Sequence, residues 1–276
     1  MAVDPIEKKP LYHYYPGSSI LSVGFVGCSL RCPFCQNHTI SQGTTAPTEY
    51  VSPEDLVRAA KREHSFGIAY TYSEPLIHFE YVADCARLAR QAGLKNVLVT
   101  NGYLQAEPAE EMMGLVDAAN VDLKTYNAAF YSHELGGKLE DVKRFIAAAA
   151  RRIAVEVTTL VVPGKNDSED EIEGAARFIA SLSPHIPYHL SCYYPRHRYA
   201  VPPTPPDTVA RLAEVARRHL RFVYLGNVGG EEATTACQGC GSILIRRSGY
   251  RVRISGVRDE KCAGCGADPG IPGLQT

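Results

Sequence analysis

Residues 20–37 read ILSVGFVGCSLRCPFCQN, an apolar run that ends at Gly27 and passes directly into three closely spaced cysteines. The first eight residues are mostly branched or aromatic and carry no charge, which is typical of a buried β-strand. The cysteines are Cys28, Cys32 and Cys35, with three and then two residues between them. This stretch therefore predicts a strand that is followed, at its carboxyl end, by a cluster of thiols.

The same kind of run recurs along the chain. Six more strands are predicted, at FGIAYTYSE (66–74), KNVLVTNG (95–102), NVDLKT (120–125), IAVEVTTLVV (153–162), YHLSCYY (188–194) and FVYLGNV (222–228). Helical patterns lie between them, including Leu76 to Gln91 and Leu139 to Arg151. Ser52 is a predicted helix N-cap, and Ser168 with Glu171 predicts a capping box. Repeated strand and helix predict an α/β fold around a parallel sheet, either a barrel or a doubly wound sheet.

This pattern stops after Val228. The rest is rich in Gly and Cys, and SILIRRSGYRVRIS (242–255) predicts a hairpin that turns at Ser248-Gly249. We place a boundary near Gly230, which divides the chain into an N-terminal segment (1–19), a main α/β domain (20–229) and a four-cysteine domain (230–276). The proline-rich stretch from 195 to 206 predicts an ordered loop or lid.

The amino-acid composition excludes some classes of function and favours others. The 29 basic residues nearly balance the 30 acidic ones, so the overall charge indicates neither a nucleic-acid nor a membrane partner. No apolar run resembles a signal peptide or a membrane span, and we expect a soluble cytoplasmic protein. Seven of the nine cysteines fall in two tight groups, which favours metal binding over disulfides. Cys85 and Cys192 stand alone and are expected to be buried packing residues.

The first cysteine group suits an iron-sulfur cube. Three thiolates can hold a [4Fe-4S] cluster and leave its fourth iron open to a small molecule, whereas a cluster closed by four cysteines normally only transfers electrons. The spacing alone also suits zinc with a fourth ligand such as His38, or a closed cluster whose fourth ligand comes from elsewhere.

The Cys28-x3-Cys32-x2-Cys35 spacing, with Phe34 before the last cysteine, resembles the radical S-adenosylmethionine (SAM) signature. This resemblance implies a partial (β/α)6 barrel and a [4Fe-4S] cluster that reductively cleaves SAM to methionine and a 5′-deoxyadenosyl radical. Ser-Glu-Pro (73–75), Thr-Asn-Gly (100–102), Asp-Leu-Lys (122–124), Val-Pro-Gly (162–164) and Pro-Tyr-His (187–189) follow the order found in glycyl-radical-enzyme activases. The opening KPLYHYYPG (9–17), the Cys-Gln-Asn at 35–37 and the terminal cysteine pairs resemble the AmmeMemoRadiSam system branch, which is related to pyruvate formate-lyase activating enzyme.

The resemblance also implies a set of SAM contacts near the cluster. They are Phe34, Gln36, Ser73, Glu74, Asn101, Asp122, Lys124 and His189. Tyr72 and Ser73 replace the two glycines that relatives carry before the glutamate. From the residues alone, Glu74 also suits a helix N-terminus, Asn101 a turn and His189 a structural role.

The second cysteine group consists of Cys237, Cys240, Cys262 and Cys265, in two Cys-x2-Cys knuckles that flank the hairpin. The spacing resembles a zinc ribbon and predicts a closed structural site, with rubredoxin-like iron as the alternative. The hairpin carries four arginines that make a local basic patch, but nucleic-acid binding ranks low without aromatic residues between them.

Two classes of function remain at this point. The first is a radical SAM enzyme that takes an electron from a reductant such as flavodoxin or ferredoxin and attacks a protein or a small molecule. A small-molecule substrate would need a closed pocket, for which residues 195–206 with Tyr193, Tyr194 and His197 are the candidate cover. The second is a non-catalytic iron-sulfur or zinc scaffold that binds a partner.

Overall fold

The computed structural model describes residues 1–43, 47–229 and 232–274 and is built around one eight-stranded sheet. The strands lie in chain order, β1 to β8, and all neighbours from β2 to β8 are parallel. They are β1 (Ala2–Pro5), β2 (Ser19–Gly24), β3 (Gly67–Thr71), β4 (Lys95–Thr100), β5 (Ala118–Asp122), β6 (Ala154–Val161), β7 (Tyr188–Cys192) and β8 (Val223–Gly226).

The seven strands predicted from the sequence are the seven parallel strands, so the α/β prediction is confirmed. Most of the predicted runs extend two or three residues beyond the observed carboxyl ends. The reason is that the loops after these strands are also apolar and buried, as at Leu123, Val162 and Tyr193. Sequence alone therefore merges each strand with the first residues of its loop.

In the part of the chain that the structure describes, eight α-helices connect the strands. They are α1 (His38–Ser41), α2 (Pro53–Arg62), α3 (Phe79–Gln91), α4 (Ala106–Met113), α5 (Ala128–Phe130), α6 (Leu139–Ala150), α7 (Glu169–Leu182) and α8 (Pro206–Arg217), with a π-helical turn over Tyr131–Leu135 and 3₁₀ turns over Ile6–Lys8 and Pro75–His78. No described helix is both long and apolar enough to cross a membrane.

The predicted helix caps are present, with one correction. Ser52 Oγ accepts a hydrogen bond from the backbone N–H of Asp55 at 3.1 Å, and Ser168 Oγ accepts one from Glu171 at 3.3 Å. The reciprocal half of the predicted capping box is missing. The Glu171 carboxylate turns away because it accepts hydrogen bonds from Thr125 Oγ1 and from the backbone N–H of Tyr126. This contact ties α7 to the loop after β5.

The N-terminal segment contains an element that the sequence analysis did not predict. Strand β1 pairs antiparallel with β2 and forms one edge of the sheet. The chain that follows packs Ile6, Leu11 and Tyr14 against the inner residues of β2 to β5. Pro10 accepts a hydrogen bond from Asn120 Nδ2 of β5 at 2.9 Å. The segment therefore fills the space beneath the carboxyl ends of the strands.

The C-terminal part forms two small antiparallel sheets. One has the order β11-β10-β9, from β9 (Glu232–Ala236), β10 (Ile243–Ser248) and β11 (Arg251–Ile254), and the other pairs β12 (Val257–Arg258) with β13 (Lys261–Cys262). The predicted hairpin is confirmed, but Ser248 pairs with Arg251, so its turn is Gly249-Tyr250. Gly249 has φ +58°, which suits glycine. The predicted boundary residue, Gly230, lies outside the described residues.

A buried ion pair anchors the unpredicted strand. Asp4 accepts hydrogen bonds from Lys8 and Lys9 at 2.7 and 2.8 Å and one from Tyr72 Oη, and Lys9 is 1% exposed. Burial raises the pKa of Asp4, but these hydrogen bonds outweigh it and hold the pKa well below its usual value of 3.8. The ionised carboxylate therefore stabilises the folded chain.

We expect Asp4→Asn to lower the free energy of unfolding by about 3 kcal/mol at pH 7, because Lys9 becomes a buried charge without its partner. Since the folded pKa of Asp4 is depressed, the difference from wild type should shrink as the pH falls below about 4. Urea unfolding across this pH range measures both effects.

The control is Asp84→Asn, which breaks the exposed Asp84–Arg87 pair and should cost less than about 1 kcal/mol. Equal losses in the two variants would contradict a buried anchor at Asp4.

Candidate metal centre and ligand cavity

A cavity of about 270 Å³ lies at the carboxyl ends of the parallel strands. Its walls come from β6, β7 and the segments that follow β2, β3, β4, β5 and β8, and Pro10 of the N-terminal segment also lines it. All seven parallel strands thus contribute to one cavity, so the sheet curls around it. The linear strand order shows no pairing of β8 with β1 in the described chain, which makes the sheet an open, partial barrel.

Nine of the predicted site residues line this cavity, and two do not. The lining residues are Cys28, Cys32, Phe34, Cys35, Gln36, Ser73, Asn101, Asp122 and Lys124. Glu74 and His189 are buried elsewhere. The structure therefore brings most of the predicted residues together, although they are spread over almost one hundred positions of the chain.

Two of the three cysteines on the loop after β2 lie within hydrogen-bonding distance of neighbouring groups. Cys28 Sγ accepts from the backbone N–H of Leu30 at 3.4 Å and from Asn101 Nδ2 at 3.5 Å, and Cys35 Sγ lies 3.2 Å from Ser41 Oγ. Burial raises the pKa of Cys32 to about 12. Metal binding at this loop must therefore release protons, because the thiolate is the ligand.

The two cysteine groups differ in the distances between their sulfur atoms. In the C-terminal group all four Sγ atoms lie within 4.8 Å of one another, with 3.7 Å between Cys237 and Cys265 and 3.6 Å between Cys240 and Cys262. A Zn–S bond of about 2.3 Å gives sulfur separations of about 3.8 Å in a tetrahedron, so this group fits one ion. The loop cysteines do not form such a compact set with each other or with His38. Their wider spacing suits a cluster in which each cysteine binds a different iron.

An ion pair on β5 and its loop faces the cysteines. Lys124 Nζ donates to Asp122 Oδ2 at 2.7 Å, and both side chains are largely buried. Burial lowers the pKa of Lys124, but the charge of the Asp122 carboxylate and its hydrogen bond outweigh this and raise the pKa above its usual value. The cavity therefore holds one fixed positive and one fixed negative charge, which can bind a ligand that carries both an ammonium and a carboxylate.

Glu74 is not among the residues that line the cavity, and its predicted contact with SAM stays a prediction. It is 1% exposed, and its carboxylate accepts hydrogen bonds from Leu76 N at 3.1 Å, Thr100 Oγ1 at 2.6 Å and Asn101 N at 2.8 Å. These donors hold the carboxylate beside the cavity residue Asn101. Burial raises the pKa of Glu74 to about 7, although the three hydrogen bonds oppose that rise.

Tyr72 takes a backbone conformation that usually requires glycine. Its φ is +61°, in the left-handed region that favours glycine. This conformation costs about 1–2 kcal/mol for a side chain larger than glycine. The Tyr72 hydroxyl bonds to Asp4 and Lys9, which offsets part of that cost. The segment after β3 therefore holds a glycine-like bend at a tyrosine.

His189 is also not among the residues that line the cavity, and its predicted contact with SAM stays a prediction. Its Nε2 lies 2.6 Å from Glu156 Oε2, both side chains are almost fully buried, and the Tyr12 ring packs edge-on at 4.7 Å. Burial raises the pKa of Glu156, but its hydrogen bond with His189 outweighs this and lowers it overall. Glu156 was missed, although a single acidic residue in the apolar run 153–162 was a signal for a buried partner.

Nine cavity residues were not predicted as site residues: Pro10, Leu30, Asn37, Ser41, Gln42, Thr158, Leu160, Ser191 and Asn227. Gln42 Nε2 donates to the carbonyl oxygen of Cys32 at 3.0 Å and so helps to hold the loop. Thr158 and Leu160 alternate along β6 and therefore share one face, which was a usable signal. Asn227 directly follows a strand, as Asn101 does, and the same reasoning would have found it.

A second cavity, of about 510 Å³, adjoins the first at Asn227, which lines both. It lies between β8 and the strands β9 and β10, with Tyr12 and Arg247 in its walls. The segment 195–206 lines neither cavity. It packs on the outside of the cysteine loop, where Arg198 N donates to Pro33 O at 2.9 Å, so the expected lid over the pocket is not observed.

A family model described as the radical SAM superfamily matches residues 22–179. The match spans more than half of the chain and includes the cysteine loop, β2 to β6 and most of α7. The chain therefore belongs to the radical SAM superfamily, as the cysteine spacing predicted. Membership implies a [4Fe-4S] cluster and SAM.

Individual relatives agree with this assignment. An uncharacterized protein from Methanocaldococcus jannaschii is 39% identical over 275 residues, which cover 96% of this chain and 82% of that protein. The pyruvate formate-lyase 1-activating enzyme of Escherichia coli is 25% identical over 179 residues, covering 60% and 72%. The crystal structure of a radical SAM methyltransferase from Sphaerobacter thermophilus shares the fold, with a TM-score of 0.58 at 17% identity, covering 77% and 67%.

Glu74→Gln tests the buried carboxyl through its pH dependence. The folded chain keeps the Glu74 proton up to about pH 7, whereas a free carboxyl releases it near 4.5, so ionisation disfavours the folded state as the pH rises. We expect the free energy of unfolding of wild type, minus that of the variant, to fall by roughly 3 kcal/mol from pH 4.5 to 7.

The measurement is urea unfolding at several pH values, with the exposed Glu214→Gln as the control. A difference that stays constant or grows as the pH rises would contradict a raised pKa at Glu74.

Proposed function

We propose that Cys28, Cys32 and Cys35 hold the [4Fe-4S] cluster and that SAM binds beside it in the first cavity. The observation that carries this proposal is that the three thiols and the Asp122–Lys124 pair face one cavity bounded by all seven parallel strands. The wide spacing of the loop cysteines also favours a cluster over a single ion.

Different residues of the cavity are proposed to bind different parts of SAM. Asp122 and Lys124 supply one charge each for the ammonium and carboxylate of its methionine part. Asn101, Ser73 and Gln36 offer polar groups, and Phe34 offers an apolar wall. Glu74 acts as a positioning residue, because its carboxylate accepts the backbone N–H of Asn101, and a contact of His189 with SAM stays a prediction.

When bound, the cluster supplies the electron that cleaves SAM to methionine and a 5′-deoxyadenosyl radical, which abstracts hydrogen from the substrate. A reductant such as flavodoxin or ferredoxin must deliver that electron. We propose a protein substrate, since several relatives are named activating enzymes for other enzymes. The absence of a lid among the described residues and the open adjoining cavity support this choice over a small molecule.

The four C-terminal cysteines are proposed to hold zinc as a structural ion. Their sulfur separations of 3.6 and 3.7 Å match a tetrahedral site. The domain division near residue 230 and a cytoplasmic location belong to the same proposal. Assignment to the AmmeMemoRadiSam branch stays a prediction.

The first test is an anaerobic assay with dithionite as reductant. We expect the cluster-loaded chain to convert SAM to methionine and 5′-deoxyadenosine, and Cys32→Ala to abolish both products because the cluster loses a ligand. Liquid chromatography with mass spectrometry measures the products.

The matched control is Cys85→Ala, which removes a buried cysteine of α3 outside the cavity. A non-catalytic scaffold would release no cleavage products from wild type, and that result would end the enzymatic proposal.

The second test counts metals. We expect about four iron atoms and about one zinc per chain. Cys240→Ser should lose zinc but keep iron, and Cys32→Ala should lose iron but keep zinc. Elemental analysis of anaerobically purified protein measures both. Iron above four per chain with no zinc would instead support rubredoxin-like iron at the C-terminal site.

A further inference from the structure

Four cationic side chains surround the outer face of the cysteine loop. We call Arg31, Lys165, Arg196 and Arg198 the cationic collar. The three arginines are exposed, and Lys165 is half-buried with its Nζ 5.1 Å from the centre of the Tyr199 ring. The collar gathers positive charge on one face of a chain whose formal net charge is −1.

Direct contacts hold the collar against the loop. Arg198 donates its backbone N–H to Pro33 O at 2.9 Å, directly beside Cys32. Next to it, the His197 ring stacks on His38 at 4.5 Å, and His38 Nδ1 lies 3.3 Å from Cys35 O.

The other side of the loop is held at Arg31. Its backbone N–H donates to Leu135 O at 2.9 Å. Its guanidinium lies so close to Gly136 that an added Cβ there would come within 2.6 Å of Nε. The collar therefore surrounds the proposed cluster site from two sides.

The collar arginines have no ion-pair partner in the described chain. The arginines of α2, α6, α7 and α8, in contrast, all lie in ion pairs. The nearest acidic side chain identified by contact is Glu134, whose carboxylate accepts a hydrogen bond from Tyr199 Oη at 3.2 Å. Uncompensated charge of one sign on an exposed face steers partners of the opposite charge.

We propose that the cationic collar is the docking surface for an acidic one-electron carrier protein. This inference rests on the proposed function, in which the cluster must receive one electron from outside. A carrier with a reduced flavin would pass from its anionic hydroquinone to its neutral semiquinone and give one electron to the cluster, with no proton transferred.

A second set of unpaired arginines provides the comparison. Arg251 and Arg253 are exposed on β11 and also lack ion-pair partners in the described chain. Their strand contacts Gly17 through Val252, at the amino end of β2. Neither arginine lines the first cavity, and no contact found in the described chain joins their strand to the cysteine loop, so a carrier bound there would not meet the loop that holds the proposed cluster.

The experiment measures binding of purified flavodoxin to the cluster-loaded chain by biolayer interferometry under anaerobic conditions. Wild type is compared with R196E/R198E and with the matched variant R251E/R253E, which changes the net charge equally. Each is measured at low salt and at about 0.5 M salt, where surface charges are strongly screened. Iron content and thermal unfolding show that each variant is folded and loaded. The rate of cluster reduction by flavodoxin hydroquinone is followed by the loss of visible absorbance, with dithionite in parallel.

We expect R196E/R198E to weaken flavodoxin binding at least tenfold at low salt, with little difference left at high salt. The rate of cluster reduction by flavodoxin should fall together with the binding, whereas the rate of reduction by dithionite should not change. Flavodoxin binding by R251E/R253E should stay within twofold of wild type. Unchanged binding in R196E/R198E, an equal or larger loss in R251E/R253E, or no salt-sensitive binding by wild type would each overturn the proposal. If dithionite yields no SAM cleavage products, the proposed function fails, while the binding measurement still decides on the collar.

Discussion

The buried carboxylate of Glu74 is the constraint on which the site depends. It joins the end of β3 to the end of β4 through hydrogen bonds from Leu76, Thr100 and Asn101. Asn101 then turns its side-chain amide to Cys28, so one acidic group sets the distance between two strand ends and the cysteine loop. A buried carboxylate is costly without donors, and here the donors are backbone and side-chain groups that the site needs in fixed places.

Much of this arrangement could be predicted from the sequence because strands and cysteine spacing are local signals. Seven strands follow from apolar runs, and half of the cavity residues follow from the family resemblance together with the rule that loops at strand ends meet. The direction of a buried side chain does not follow from such local signals. Glu74 comes after the carboxyl end of β3 and His189 lies near the amino end of β7, and partners on other segments decide where both side chains lie. The antiparallel β1 was missed for the same reason, since its anchor at Lys9 and Tyr72 is visible only after folding.

The chain uses thiols in two different ways. At the C-terminus four sulfurs are drawn together by short knuckles, and two of the cysteines, Cys237 and Cys262, are buried in a small apolar core. At the barrel the sulfurs stay apart and line a cavity that also holds fixed charges. A compact set closes around its ion and serves stability. An open set leaves space for a ligand, which is what chemistry at a metal requires.

Arg247 links these two parts, and the link bears on how the protein is made. Its guanidinium donates to Tyr12 O at 2.6 Å across 235 residues of sequence and is nearly fully buried. Tyr12 belongs to the segment that fills the space beneath the strand ends. Because its partner lies 235 residues further along the sequence, the segment is synthesised well before that partner. The packing of the barrel floor is therefore completed only after β10, which carries Arg247, has been synthesised.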